Sequence, residues 1–230
     1  MKSIDEAIAG IPRRHHSVLP TPIHELTALS DQFGGRVFCK RDDLTGFGFG
    51  GNKSRKLDFL VDDAITRQCD TLLTVGANQS NFCRMVAAYG SVNEMDVHLV
   101  LGGAKPAVST GNLRLDHMLR ANCHHVDSNE WDVWESEARA LETKLTNDGR
   151  RVYRMPVGGS TPIGALGYVA AMSEIIDDEA RLGVHFDAIV FASSSAGTQA
   201  GLVIGKSIAK WPGEIIGMSV AKDKKHQYED

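Results

Sequence analysis

The sequence predicts an α/β protein built on parallel sheets with helices on both faces. Two observations carry that expectation. Short β-type runs alternate with longer segments of helical period along nearly the whole chain. Glycine is frequent, at 23 of 230 residues, as many strand-to-helix turns require.

In chain order the expected strands are Val37–Arg41, Thr71–Val75, Val97–Leu101, His124–Asp127, Arg151–Met155, Ala188–Ala192 and Ile215–Val220. The expected helices lie between them, at about 53–68, 80–92, 110–121, 130–147, 163–181 and 198–210. No internal repeat or low-complexity tract interrupts the pattern. The last strand reads as buried, yet only the polar stretch Ala221–Asp230 follows it, where a parallel sheet normally places a covering helix. The sequence therefore reads as cut short.

Composition narrows the function classes. A net charge of −4 gives no reason to expect nucleic-acid binding, and no basic tract marks a membrane surface. No apolar run approaches the roughly 18 residues that span a bilayer. The first fourteen residues carry Asp5 and Glu6 where a signal peptide needs an apolar stretch, so a cytoplasmic location is expected. Cys39, Cys69, Cys83 and Cys123 form no Cys-x-x-Cys pair and read as thiols of a reducing compartment. The pairs His15-His16 and His124-His125 are adjacent and point to opposite faces of a strand, so no metal is expected.

Parallel sheets bind ligands where loops leave the carboxyl ends of strands and enter helices, and three such places stand out. The first is Gly46-Phe-Gly-Phe-Gly-Gly-Asn-Lys53. Its glycines permit tight turns and close approach to a ligand, and Asn52 is a good N-cap for a helix starting at Lys53. Leu57, Leu60, Val61, Ala64 and Ile65 form an inward stripe, with Lys53 on the same face; Arg55, Asp58 and Asp62 fall off it and are expected in solvent. Desolvation and the positive helix end disfavour the ammonium form of Lys53, and a neutral amine is what Schiff-base chemistry needs. The competing reading is a lysine whose stem packs inward and whose head reaches water. Gly46, Gly48 and Gly51 also match Gly-x-Gly-x-x-Gly, but Arg41–Thr45 intervenes after the strand and a lysine at the helix start is foreign to a dinucleotide turn.

The second place is Thr74–Arg84, where a strand ends and a helix starts near Ser80. Its free amides and the Ser80 hydroxyl suit a carboxylate or phosphate; the alternative is a well-capped helix with Arg84 on the surface. The third is Phe191–Gly201, where small hydroxyl residues and glycine open a helix as a phosphate cradle, without the Lys-Ser/Thr of an NTP-binding loop. A tight turn with no ligand is the alternative. An amine, a carboxylate site and a phosphate site at the mouths of parallel strands match pyridoxal phosphate bound beside an amino acid.

These residues resemble the fold-type II pyridoxal-phosphate enzymes related to 1-aminocyclopropane-1-carboxylate deaminase and D-cysteine desulfhydrase. The resemblance runs through Leu19-Pro-Thr-Pro, Lys40-Arg-Asp-Asp43, Gly50-Gly-Asn-Lys-Ser-Arg-Lys-Leu57, Gln79-Ser-Asn81, Val157–Tyr168 and Ser193–Gly201. It implies a tryptophan-synthase-β-like pair of α/β subdomains: residues 1–54 with 166–230 as a large subdomain left incomplete, and 55–165 as the small one. It implies pyridoxal phosphate held by Lys53 as an imine, with Lys53 also moving protons at the substrate α-carbon and Asn52 also binding the cofactor. Ser80, Asn81 and Gln79 are implied for the substrate, Ser80 also as a catalytic group and Asn81 also stacking on the cofactor ring. Ser195, Ala196, Gly197 and Thr198 are implied for the phosphate.

The stretch Gly158–Tyr168 is closer to the desulfhydrase side, which implies a lyase taking D-cysteine to pyruvate, sulfide and ammonia. Deamination of 1-aminocyclopropane-1-carboxylate and cysteate sulfo-lyase activity are the alternatives inside the family. A non-catalytic, cofactor-binding remnant is the alternative of another class. A homodimer acting on a small amino acid is implied. The chain departs from many relatives at Phe82, where they carry histidine, and relatives continue beyond this C-terminus.

Overall fold

The computed structural model describes residues 3–220. Ahead of the expected elements come three short ones: helix α1 (Ile4–Ile8), strand β1 (Ile23–Glu25) and helix α2 (Thr27–Phe33). β1 pairs antiparallel with β2 (Phe38–Lys40) as a small ribbon. None of the three has the length or period that marks an element in sequence.

The main alternation then follows as expected: α3 (Ser54–Thr66), β3 (Thr71–Ala77), α4 (Asn81–Val92), β4 (Asp96–Gly102), α5 (Gly111–Met118), β5 (Asn122–Val126), α6 (Trp131–Asn147) and β6 (Val152–Met155). These four strands form one parallel sheet in the order β5-β4-β3-β6. Its two faces differ by strand alternation. Leu72, Val97, Leu99 and Leu101 meet α3, α4 and α5 on one side. Leu73, Val75 and Val100 meet Trp134 and Ala138 of α6 on the other.

Helix α7 (Pro162–Leu182), strand β7 (Ala188–Ser193), helix α8 (Gly197–Ala209) and strand β8 (Glu214–Ser219) complete the described chain. β7 and β8 pair in parallel as a two-stranded sheet. α1, α7 and α8 share a second apolar core that also takes in Phe59, Ile189, Phe191 and Ile215. The final strand is not buried as expected: it alternates, with Ile215 inward while Ile216 and Met218 are exposed. Residues 221–230, the polar stretch after it, lie outside the described residues.

α3 lies between the two cores. Leu57, Leu60, Val61 and Ala64 enter the first, and Phe59 enters the second. α7 comes so close that a Cβ at Gly167 would strike the Arg55 carbonyl. This corrects the expectation that Arg55, Asp58 and Asp62 are solvated. Arg55 and Asp58 are buried and Asp62 is half-buried beside Arg14. A helix packed on two sides buries its polar stripe when partners are supplied. Arg55 donates to both carboxylate oxygens of Asp42, to both of Glu174 and to Thr21 Oγ1. Asp58 accepts from Tyr89 Oη at 2.6 Å and from the His16 backbone. No helix of the described residues is long and apolar enough to cross a membrane.

Candidate active site

The glycine stretch before α3 folds as two short turns, Asp42–Leu44 and Phe47–Phe49, rather than as a strand-to-helix dinucleotide turn. Gly50 sits at φ 73°, and any side chain there would collide with the Asp43 carbonyl, so glycine is required. Helix α3 starts one residue later than expected. Lys53, not Asn52, occupies the N-cap position and the first helical residue is Ser54. The Lys53 side chain is half-buried, and burial lowers its pKa.

Lys53 lines a cavity of about 160 Å³ together with Gly51, Asn52, Asn81 and Arg84. Asn81 opens α4, and Ser80 caps it by accepting from the Cys83 backbone N–H. The Ser80 hydroxyl therefore keeps its own proton to donate, at a helix end that favours anions. Gln79 is turned elsewhere. Its side chain donates to the Thr110 carbonyl at 3.1 Å and accepts from the Asn112 backbone at 2.9 Å, holding the start of α5. Asn112 in turn donates to Asn81 Oδ1 at 2.8 Å, so Asn112 orients Asn81, a role the sequence reading missed.

Arg84 is not a surface arginine: it is 5% exposed and donates to the carbonyls of Gly48 and Gly50. It pins the glycine turn that presents Lys53. Phe82 is a core residue, 2% exposed, and a Cβ at Gly159 would lie 2.7 Å from its ring. The phenyl thus wedges the loop after β6 against the first turn of α4.

That loop meets the expected phosphate cradle. Ser160 Oγ donates to the Ser195 carbonyl, and a Cβ at Gly158 would lie 2.7 Å from Ser195 Oγ. Ala196 takes a left-handed conformation at φ 57° and caps α8, whose first residues are Gly197 and Thr198. A Cβ at Gly197 would lie 2.7 Å from Lys56 Nζ and 2.9 Å from Ser160 Oγ. Lys56 is the second residue the sequence reading passed over. It is fully buried, donates to the Gly158 carbonyl at 2.9 Å, and has its pKa pushed down to about 7 by burial and then by the charge of Lys53. The signal was present: lysines at i and i+3 share a helix side, so what places Lys53 inward also places Lys56.

Lys53, Asn52 and Asn81 thus share one cavity, with Ser80 beside Asn81, while Gly197 at the start of α8 comes against Lys56 one turn along α3. Pyridoxal phosphate needs a neutral amine for its aldehyde and N–H donors with a cation for its phosphate. The half-buried Lys53, the start of α8 and Lys56 supply that set. These residues fit the cofactor.

Comparison with known proteins gives the family. A family model described as pyridoxal-phosphate dependent enzyme matches residues 15–227. The chain is 36% identical over 223 residues to the mitochondrial bifunctional D-cysteine desulfhydrase/1-aminocyclopropane-1-carboxylate deaminase of Arabidopsis thaliana, covering 92% of this chain and 55% of the relative. It is 36% identical over 227 residues to D-cysteine desulfhydrase of Serratia proteamaculans, covering 96% and 68%. A crystal structure described as that of an ACC deaminase homologue superposes with a TM-score of 0.93 at 35% identity, covering 100% of this chain and 69% of that one. The chain spans about two thirds, or less, of the length of the curated relatives it matches.

Proposed function

The chain belongs to the pyridoxal-phosphate-dependent enzyme family and has its fold-type II architecture, and from that premise we propose a carbon–sulfur lyase of the D-cysteine desulfhydrase type. The overall reaction converts D-cysteine and water to pyruvate, hydrogen sulfide and ammonia. The observation that carries the reading is the cavity in which a half-buried Lys53 of lowered pKa faces Asn81 at the start of α4.

When bound, the cofactor supplies an electron sink for the α-carbanion. The chain supplies the rest. Lys53 would hold the cofactor through its amine, and its Nζ would take the substrate α-proton. Ser80 and the N–H groups at the start of α4 hold the substrate carboxylate, where the helix end favours negative charge. Asn81, oriented by Asn112, would help hold the cofactor. Thr198, Gly197, Ala196 and Ser195 would hold the phosphate, with the Lys56 amine beside Gly197. Arg84 keeps the Gly48–Gly50 turn fixed, which limits how far Lys53 strays from reacting distance. Gln79 acts on the substrate only through the α5 start that it holds.

The same proposal divides the chain into a large subdomain (1–54 with 166–230) and a small one (55–165), with the cofactor between them, and takes the protein as a cytoplasmic homodimer. Deamination of 1-aminocyclopropane-1-carboxylate is the second reading, supported by the name of the bifunctional Arabidopsis relative.

The test is the near-visible absorption spectrum of purified protein with added pyridoxal phosphate, with Lys53→Ala as control. The expected result is a band of lysine-bound cofactor in the parent, absent in the variant and moved by D-cysteine, with sulfide and pyruvate released. Identical spectra for parent, variant and free cofactor would refute the reading. A band without turnover of either substrate would leave a cofactor-binding protein and refute the lyase.

A further inference from the structure

Phe49 is in a conformation and a place that folding alone does not account for. Its φ is 69°, in the left-handed region where a bulky residue costs about 1–2 kcal/mol. The other non-glycine residues at positive φ are Gln68, Glu94, Arg120 and Lys210, which follow helix C-termini, and Ala196 in the phosphate loop. Phe49 instead stands between Gly48 and Gly50, in a stretch where glycine is plainly accommodated. The strain yields no burial, since Phe49 is 74% exposed.

Its neighbour two residues back shows the contrast. Phe47 stacks on His16 at 4.9 Å and meets Tyr89 edge-on at 4.8 Å, as a structural aromatic does. Phe49 lines the cavity of Lys53 and Asn81 with Met85. A strained, solvent-facing aromatic at the rim of a reactive cavity is the pattern expected where strain is retained for function.

We propose that Phe49 determines specificity at this site: its ring covers the β-substituent of the bound amino acid and favours an uncharged thiol over a sulfonate. The inference rests on the lyase reading above. The ring, with Met85 buried behind the cavity wall, gives this end of the cavity an apolar surface, which stabilises a thiol and penalises an ion stripped of water. The cations lining the cavity are Lys53, assigned to the cofactor, and Arg84, whose Nη1 and Nη2 donate to the Gly48 and Gly50 carbonyls and whose Nε is buried. Asp43, held ionised by the Arg41 fork, lines the same cavity and adds no attraction for an anion.

The experiment compares the parent with Phe49→Gly and Phe49→Leu. Two quantities are read: the thermal midpoint of each protein without cofactor, and the dissociation constants of D-cysteine and cysteate from spectral titrations of the cofactor-loaded proteins. The parent is expected to bind D-cysteine at least tenfold more tightly than cysteate. Phe49→Gly is expected to lose most of that preference while its midpoint stays within about 2 °C of the parent, because relieved strain offsets added chain entropy. Phe49→Leu, which restores an apolar cover, is expected to recover most of it. A parent that binds both amino acids equally, or a Phe49→Gly protein that keeps the preference, overturns the inference while the cofactor band leaves the lyase reading standing. A midpoint lowered by 5 °C or more in Phe49→Gly with the preference intact makes Phe49 structural. A parent without the cofactor band fails earlier and takes both readings down together.

Discussion

A lysine amine with no exposed surface is held at Lys56, and its physics differs from that of Lys53 one turn away. Its pKa is pushed down to about 7, so at pH 8 the folded protein carries a neutral amine while the unfolded chain carries an ammonium. The folded value lies below the unfolded one. Stability therefore rises as pH climbs from about 7 toward the ordinary lysine value, and below about 7 both states hold the proton and the penalty is constant. An anion placed beside Gly197 reverses the preference, because a nearby negative charge favours the ammonium. Inorganic phosphate binding at pH 8 is therefore expected to take up close to one proton. Calorimetry in buffers of different ionisation enthalpy reads this directly. In Lys56→Met the uptake should vanish and phosphate affinity should fall tenfold or more; uptake that persists would place the anion elsewhere. Lys53 stood out in sequence because a run of glycines precedes it, although Asn52, expected as the cap, yields that position to Lys53 itself. Lys56 did not, because a second lysine on a helix usually reads as a solvated stem, and only the loops after β6 and β7 bury it.

At the scale of elements, α3 shows where pattern reading stops. Its apolar stripe toward the four-stranded sheet was legible from Leu57 to Ala64. Its opposite face was not, because Arg55 and Asp58 look solvated until α7 and the N-terminal segment close over them. The partners lie far away in sequence: Asp42 on the turn after β2, Glu174 on α7 and Thr21 before β1. Lys40 of β2 extends the network to Glu174 and Asp178. One guanidinium thus joins β2, α3 and α7, and Tyr168 adds a hydrogen bond to Asp42 at 3.1 Å. Removing one partner of a buried ion pair costs about 3–5 kcal/mol, since the other charges stay buried. Arg55→Met is expected to lose that much in urea unfolding. Arg55→Lys should lose nearly as much, because a single ammonium cannot meet two carboxylates in fork geometry. A loss below about 1 kcal/mol in Arg55→Met would show that the carboxylates find other partners.

Across the whole molecule, the alternation of strands and helices was legible because each unit repeats a local pattern. The exposure of the last sheet was not, because burial depends on what packs against a strand rather than on its composition. β7 and β8 turn Ile189, Phe191 and Ile215 toward the helices and leave Val190 63% and Met218 56% exposed on the other side. On α8, Val203 and Ile204 are 46% and 47% exposed. Among the described residues this sheet has two strands only, so each also presents a free backbone edge. Exposed apolar strands with unpaired edges favour pairing between copies. The chain is therefore expected to gain mass with concentration in light scattering. Val190→Lys with Met218→Lys should shift that onset to several-fold higher concentration, because a charged outer face penalises edge-to-edge stacking without touching the inner core. The cofactor band should survive the double change, since neither residue lines the Lys53 cavity. An unchanged mass profile in the double variant would place the self-association surface elsewhere, and a loss of the band would mean that this outer face supports the phosphate loop at the end of β7.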